Sequence, residues 1–178
     1  MKLLDHEKKH IREMRRGAAG CTLFLKRNGD FPLEGPCAIG LYGNGARHTL
    51  KGGTGSGDVN SRFYVTAEKG LTRAGFTVTT KEWMDEYERV KKENHAGFVK
   101  QIKEEAMKSG MNPIQYSMGK IETEPEYDIP TGSGDVAIYV LSRVCGEGTD
   151  RQGIRGDFLL TKTEISDILQ LKADYKKF

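Results

Sequence analysis

The stretch VAIYVLSR, Val136–Arg143, opens with an uninterrupted apolar run and ends in two polar residues. Runs of this kind are typical of strands buried on both faces of a parallel sheet. CAIGLYG, Cys37–Gly43, and FTVTT, Phe76–Thr80, predict two more strands. Helical patterns separate and follow the three, and this alternation indicates an α/β fold with right-handed crossovers.

Four helices are predicted around these strands. Asp5 and Thr80 are the expected N-caps of the first and third, Asn60–Gly75 forms the second, and Thr161 with Glu164 makes a capping box for the last. The side chains expected to face inward are Ile11, Met14 and Ala18, then Trp83, Tyr87, Val90, Phe98 and Ile102, then Ile165, Ile168 and Leu169. Asn94–Gly97 leaves open whether the third helix is continuous, and Cys21–Arg27 is expected to be a short extended segment at an edge.

The predicted architecture is a three-layer α/β sandwich with a mostly parallel sheet and flanking helices. Only three strong strands are visible, where sheets usually have about five or six. The last helix ends at ADYKKF, Ala173–Phe178, where another crossover strand would be expected. Residues 1–178 are therefore predicted to form a single, incomplete domain.

Composition argues against several classes of function. The net charge is +3, and basic and acidic residues alternate along the predicted helices, which does not indicate a nucleic-acid surface. The three cysteines form no CxxC pair and the four histidines have no metal-ligand spacing, so we expect reduced thiols and no metal. The amino-terminal segment is too charged for a signal peptide, and no apolar run has membrane-spanning length. These features predict a cytoplasmic protein without a membrane partner.

The hexapeptide TGSGDV occurs twice, at Thr54–Val59 and at Thr131–Val136. The first copy follows a predicted strand and so lies at the carboxyl edge of the sheet, where open α/β folds bind ligands. The second copy runs directly into a strand and lies at the opposite edge. The two copies are therefore interpreted as similar turns rather than as a repeat, and only the first is a candidate for function.

Nucleotide binding is an alternative for the first copy, but the sequence fits it poorly. A phosphate loop needs Lys followed by Ser or Thr after its second glycine, and Asp58 stands there. The dinucleotide pattern GxGxxG is met by Gly43 and Gly45, but His48 replaces the third glycine. We predict no cofactor, and a tight turn without function remains open.

A second loop, CGEGTDR, Cys145–Arg151, leaves the carboxyl end of the strongest strand. Gly146 and Gly148 allow a sharp turn that would present Glu147 at the loop tip. A loop glutamate can also be an ordinary solvated charge, and Asp150 with Arg151 can be a local ion pair. Because both glycine-rich loops leave the same sheet edge, we expect them to share a pocket.

Three stretches together resemble the second domain of family 3 glycoside hydrolases, the β-glucosidase group. They are VAIYVLSRVCGEGTDRQGIRGDFLLTKTEISDIL at Val136–Leu169, GNGARHTLKGGTGSGDVN at Gly43–Asn60, and AAGCTLFLKRNGDFPL at Ala18–Leu33. The resemblance covers most of Arg16–Leu169 and is weakest over Lys91–Pro130. Cys145 stands where the family more often has serine.

The resemblance implies retaining hydrolysis of terminal β-glycosidic bonds by two carboxylates on different domains. In the family the nucleophile lies on a (β/α)8 barrel, and the general acid/base is the glutamate of the GEGxDR motif, which falls here on Glu147. Ser56 is the first candidate for contact with a sugar hydroxyl, followed by Thr54 and Lys51. Asp58, Asp150 and Arg151 are expected to support the loops.

The implied partners are a β-glucoside or oligosaccharide and the barrel of the same polypeptide. No barrel is present in this sequence, so the nucleophile is expected to lie outside it and the chain alone is expected to be inactive. A domain of this kind at the amino terminus is similar to the subgroup with reversed domain order. A non-catalytic carbohydrate-binding or interaction module is the alternative.

Overall fold

The computed structural model describes residues 3–26, 28–53, 57, 59–145 and 150–178. The chain divides into two compact units, Met1–Glu34 and Gly35–Phe178. The first unit contains helix α1, Asp5–Ala18, followed by a single 3-10 turn at Ala19–Cys21. None of the α1 residues, all of which are described, is buried.

The inward face predicted for α1 is wrong, since Met14 is 73% exposed and Ala18 is exposed, and two further predictions for the first unit are wrong. Asp5 is the first residue of α1 rather than its cap; the backbone N–H of Leu4 donates to the Glu7 carboxylate at 2.7 Å, and Asp5 pairs with Lys8 instead. Within the described residues, Thr22–Lys26 pairs with no strand, and the side chains of Leu23 and Leu25 are exposed. Thr22–Lys26 is therefore not a strand of a sheet, although it contains apolar residues.

The second unit is built on a parallel sheet of four strands in the order β2-β1-β3-β4. The strands are β1 Ala38–Tyr42, β2 Thr77–Val78, β3 Gly134–Tyr139 and β4 Tyr175–Lys177. In register, Ala38 lies opposite Thr77, Gly40 opposite Ala137, and Gly134 opposite Tyr175. The predicted α/β fold with a parallel sheet is confirmed, and Tyr175–Lys177 supplies a fourth strand where the sequence predicts one to be missing.

Four helices of this unit connect or flank the strands: α2 Ala67–Arg73, α3 Lys81–Ser109, α4 Pro113–Ser117 and α5 Lys162–Asp174. Because parallel crossovers are right-handed, α2 lies on one face of the sheet, and α3 and α5 lie on the other. In the described residues, no helix combines the length and the apolar composition that crossing a bilayer requires.

The core between the sheet and α3 is largely aromatic. Trp83 stacks on Tyr87 with ring centres 5.4 Å apart, and the rings of Tyr42 and Trp83 form a T-shaped contact with centres 5.2 Å apart. The hydroxyl of Tyr42 in β1 lies 2.8 Å from that of Tyr175 in β4, so these two strands are joined through a buried hydrogen bond. A side chain at Gly40 would collide with the Tyr175 hydroxyl and the Tyr42 ring, which explains the glycine inside β1.

The helices differ from the sequence predictions at their ends. Helix α2 begins after Thr66, whose hydroxyl accepts from the N–H of Lys69 at 3.2 Å, and not at Asn60. Helix α3 runs without a break through Asn94–Gly97. Thr80 precedes α3 as predicted, but its hydroxyl bonds the backbone N–H and carbonyl of Leu41 in β1 instead of capping the helix.

The buried face of α5 is not the predicted one. The capping box of Thr161 and Glu164 is confirmed, but the buried α5 side chains are Glu164, Asp167 and Leu171. Ile165 and Leu169, predicted to face inward, are 38% and 64% exposed. Two carboxylates can occupy the inner face because each has a half-buried hydrogen-bond partner, Arg143 for Glu164 and Tyr127 for Asp167.

Candidate functional site

The candidate site lies at the carboxyl edge of the sheet, between β1 and β3. The chain leaves β1 toward β2 and leaves β3 toward β4, so this is a topological switch point. Asn44 and Ser142 bond reciprocally across it, with the Asn44 amide donating to the Ser142 carbonyl at 2.8 Å and accepting from its N–H at 2.7 Å. The N–H of Gly45 donates to the carbonyl of Val140 at 2.8 Å.

The two glycine-rich loops approach each other at this edge. A Cβ on Gly53 would lie 3.3 Å from the carbonyl oxygen of Cys145. A cleft of about 1110 Å³ opens beside them, lined by the loops after β1 and β3, one side of α3 and the segment 119–124. The described parts of the two loops therefore border one cleft.

Four charged side chains form a cluster beside the cleft that we call the Asp157 clamp: Arg143, Arg151 and Asp157, which line the cleft, and Glu164, which pairs with Arg143. Arg151 donates to the Asp157 carboxylate at 2.6 Å and also to the carbonyl of Val144. Arg143 donates to the Asp157 carbonyl at 2.7 Å and to the Glu164 carboxylate at 2.5 Å. Two arginines and two carboxylates thus balance in charge.

Another part of the cleft lining comes from α3 and the segment that follows α4. Glu124 accepts from Lys91 and from the Tyr87 hydroxyl, both at 2.7 Å. Burial opposes ionisation of this carboxyl, but the Lys91 charge and these hydrogen bonds outweigh it, so the pKa of Glu124 is lowered. Glu124 is therefore a fixed anion and not a proton donor near neutral pH.

Two histidine–glutamate pairs stand at the rim of the cleft. His48 lies 2.7 Å from Glu88, and His95 lies 2.8 Å from Glu122. Within the described part of the chain, no three His, Cys, Asp or Glu side chains converge in a way that could hold a metal ion.

Beneath the clamp, Asp167 is a buried carboxyl of a different kind. It accepts a hydrogen bond from the Tyr127 hydroxyl at 2.6 Å. Burial raises the pKa of Asp167 to about 6, and the neighbouring Glu164 adds to this, although the Tyr127 bond acts in the opposite direction. The folded protein therefore binds the Asp167 proton more tightly than the unfolded chain does.

We expect Asp167→Asn to make the protein more stable relative to wild type as the pH rises. The wild-type stability linked to the Asp167 proton is present below pH 4 and is lost as the pH rises through about 6, whereas asparagine keeps the Tyr127 bond without titrating. The difference in unfolding free energy between variant and wild type should grow by about 1–3 kcal/mol from pH 4 to pH 8.

Denaturant unfolding at both pH values measures this difference. Exposed Asp135 is the control, because the hydrogen bond and charge of Lys176 lower its pKa, and Asp135→Asn should change stability in the opposite sense. An Asp167→Asn difference that does not vary with pH would contradict the assignment.

Of the site residues predicted from the sequence, some lie outside the described residues and the others, Lys51, Asp150 and Arg151, lie within them. The four that lie outside the described residues are Thr54, Ser56, Asp58 and Glu147. Lys51 is exposed and donates to the carbonyl of Val59, and Asp150 is exposed. Arg151 is half-buried in the clamp and bonds the chain on the other side of residues 146–149.

Sequence reasoning missed most of the residues that build this edge, namely Asn44, Glu124, Arg143 and Asp157. Asp157 lies in the GDF triplet of the motif that carried the resemblance, so that triplet was a usable signal. Glu164 was seen only as a capping residue, because nothing in the local sequence shows that its carboxylate also meets Arg143.

No protein-family model and no curated protein matches this chain. A solved structure that it resembles is β-glucosidase 3B from Thermotoga neapolitana in complex with α-D-glucose, with a TM-score of 0.64 and 24% sequence identity. The match covers 94% of this chain and 22% of the β-glucosidase chain. The fold predicted from the sequence resemblance is confirmed: this chain has the α/β fold of one segment of a β-glucosidase.

Proposed function

We propose that this chain is the α/β domain of a retaining β-glycoside hydrolase and that Glu147 is its general acid/base. The observation that carries the proposal is that Val144 and Arg151, on the two sides of 146–149, are bonded to each other and line a cleft of about 1110 Å³ beside the switch point. The GEGxDR motif and the fold shared with part of β-glucosidase 3B support the same conclusion.

The chemistry requires a second carboxylate. In a retaining site the two carboxyl groups are about 5–5.5 Å apart; one attacks the anomeric carbon, and the other protonates the leaving oxygen and then activates water. Glu147 takes the second role, and the nucleophile comes from a (β/α)8 barrel of the same polypeptide. Residues 1–178 are then a partial domain that is inactive alone.

The remaining loop residues support binding and geometry. Ser56, Thr54 and Lys51 border the bound sugar and donate to its hydroxyls, with Ser56 the main contact. Asp58 and Asp150 hold the loops in shape. The two bonds of Arg151, to Asp157 and to the Val144 carbonyl, suit a loop-supporting role better than a direct contact with the sugar.

Hydrolysis of p-nitrophenyl β-glucoside tests the proposal. We expect the complete natural polypeptide to hydrolyse this substrate, and proton NMR should show that the first product keeps the β-configuration. The 178-residue chain alone should show no turnover above background. Hydrolysis by the chain alone would contradict the two-domain site. Sugar binding without hydrolysis by the complete polypeptide would indicate the non-catalytic carbohydrate-binding module instead.

A further inference from the structure

We propose that Asp157 is a positioning residue that fixes where the loop at 146–149 presents Glu147, an inference that rests on the proposed function. Asp157 is 4% exposed, and its two carboxylate oxygens accept from different donors. Oδ1 bonds the Arg151 guanidinium and Oδ2 bonds the N–H of Gln152, both at 2.6 Å. The carboxylate therefore holds the chain that leaves the loop.

The same clamp holds the chain that enters the loop. Arg151 bonds the carbonyl of Val144, so the two ends of the loop are tied to each other across its base. Arg143, next to Val144, bonds the carbonyl of Asp157. Both loop ends thus converge on one buried residue, although they are separated by several residues of sequence.

The clamp is anchored in the rigid part of the domain. Arg143 bonds Glu164, which is 3% exposed and accepts from the N–H of Thr161 at 2.8 Å at the start of α5. Arg143 also follows β3 closely, at the level of the Asn44–Ser142 pair. The loop base is thereby joined to a strand end and to a helix end.

Stability alone does not account for this arrangement. Burying two carboxylates and two guanidinium groups carries a desolvation cost, and well-packed apolar side chains of similar volume often stabilise a fold as well or better. Charge-assisted bonds add directionality, which suits a loop whose Gly146 and Gly148 allow many backbone conformations. A general acid needs such accuracy, because a misplacement of about 1 Å can cost 100-fold in rate.

The test is the leaving-group dependence of Asp157→Asn in the complete polypeptide. Asparagine replaces one of the two accepting carboxylate oxygens with an NH2 donor, so one of the two bonds to Arg151 and Gln152 is lost together with the charge. We expect kcat/KM for phenyl β-glucoside to fall by about 10- to 100-fold, because phenolate leaves slowly without a well-placed acid. For 2,4-dinitrophenyl β-glucoside, whose leaving group needs no proton, the loss should be less than about threefold.

Two further variants separate positioning from general stabilisation. Asp135→Asn makes the same change at the amino edge of the sheet, on a largely exposed side chain, and should leave both rates unchanged. In the double variant Asp157→Asn/Glu147→Ala, Asp157 should add no loss of kcat/KM beyond that of Glu147→Ala, because it acts through Glu147. Equal losses on both substrates, or an additive loss in the double variant, would overturn the inference.

Failure of this inference is distinguishable from failure of the proposed function. If Glu147→Ala alone shows no leaving-group-dependent loss, the proposed function is wrong. If Glu147→Ala shows this loss and Asp157→Asn does not, only the positioning role is wrong.

A second variant, Glu164→Gln, serves if Asp157→Asn does not fold. Glutamine preserves the capping box and removes only the charge that meets Arg143. Glu164→Gln should lower kcat/KM for phenyl β-glucoside more than for 2,4-dinitrophenyl β-glucoside, with a smaller loss than in Asp157→Asn. A leaving-group dependence equal to that of the wild type would overturn the inference.

Discussion

Replacing Glu147 with alanine is expected to lower kcat/KM for phenyl β-glucoside by about 10²- to 10⁴-fold in the complete polypeptide, the usual contribution of a general acid. The same variant should hydrolyse 2,4-dinitrophenyl β-glucoside at a nearly unchanged kcat/KM, because dinitrophenolate leaves without protonation. Its kcat should still fall, since the base that activates water in the second step is also lost. Initial rates over a series of aryl glucosides measure all three effects.

The matched control for this variant is Glu86→Ala. Glu86 is a half-buried residue of α3 that pairs with Arg89 and, unlike Arg89, does not itself line the cleft. We expect its rates on both substrates to equal those of the wild type. A Glu147→Ala protein that hydrolyses phenyl β-glucoside as fast as the Glu86→Ala protein would remove Glu147 from the mechanism.

Replacing Gly43 with alanine is expected to destabilise the second unit by about 2–5 kcal/mol. Gly43 has φ +86°, where an L side chain costs roughly 1–2 kcal/mol. Its Cβ would also lie 2.5 Å from the Val140 carbonyl oxygen and 2.9 Å from the Tyr139 ring, and such overpacking costs about 1–3 kcal/mol more. The collision would separate β1 from β3 at the switch point.

Gly110→Ala measures the backbone part of this effect, so that its difference from Gly43→Ala gives the steric part. Gly110 ends α3 with φ +69°, but a Cβ there meets no atom within 4 Å. We expect a loss of about 1–2 kcal/mol, from backbone conformation alone. Denaturant unfolding of the two variants gives the comparison, and equal losses would show that the close approach of the two loops is not a packing constraint.

The fold was predictable where a local pattern carries the signal. The apolar runs at Cys37–Gly43 and Val136–Arg143 became β1 and β3, although β3 extends over Gly134–Tyr139. Beyond Tyr139, Val140 still donates to the Tyr42 carbonyl at 2.9 Å, but Ser142 bonds the Asn44 side chain instead of a neighbouring strand. Such a bond depends on a residue 98 positions away, which no local pattern contains.

Strand β4 and the buried face of α5 are two features of the fold that could not be predicted from local sequence. Strand β4 is only three residues, Tyr175–Lys177, and two of them are lysines, so its sequence lacks an apolar run. It forms because β3 offers a free edge and Tyr175 reaches the Tyr42 hydroxyl. Likewise, Asp167 faces inward because Tyr127 meets it there, against the ordinary rule that buried positions are apolar.

The site was predictable in position but not in its chemistry. Glycine-rich sequence after two strands places two loops at one sheet edge, and the described residues meet there, at Asn44 and Ser142. The Asp157 clamp could not be derived in this way, because its four members come from β3's end, two loop positions and α5. Their pairing is a product of the tertiary structure.

The central claim, that Glu147 is the acid/base of a retaining glycosidase, is tested most directly by the product that Glu147→Ala forms in sodium azide. A covalent glucosyl intermediate that lacks its base reacts slowly with water, but azide needs no base and attacks the face opposite the nucleophile. We expect azide to accelerate turnover of 2,4-dinitrophenyl β-glucoside and NMR to identify β-glucosyl azide as the product. Unchanged turnover with glucose as the only sugar product would contradict the claim.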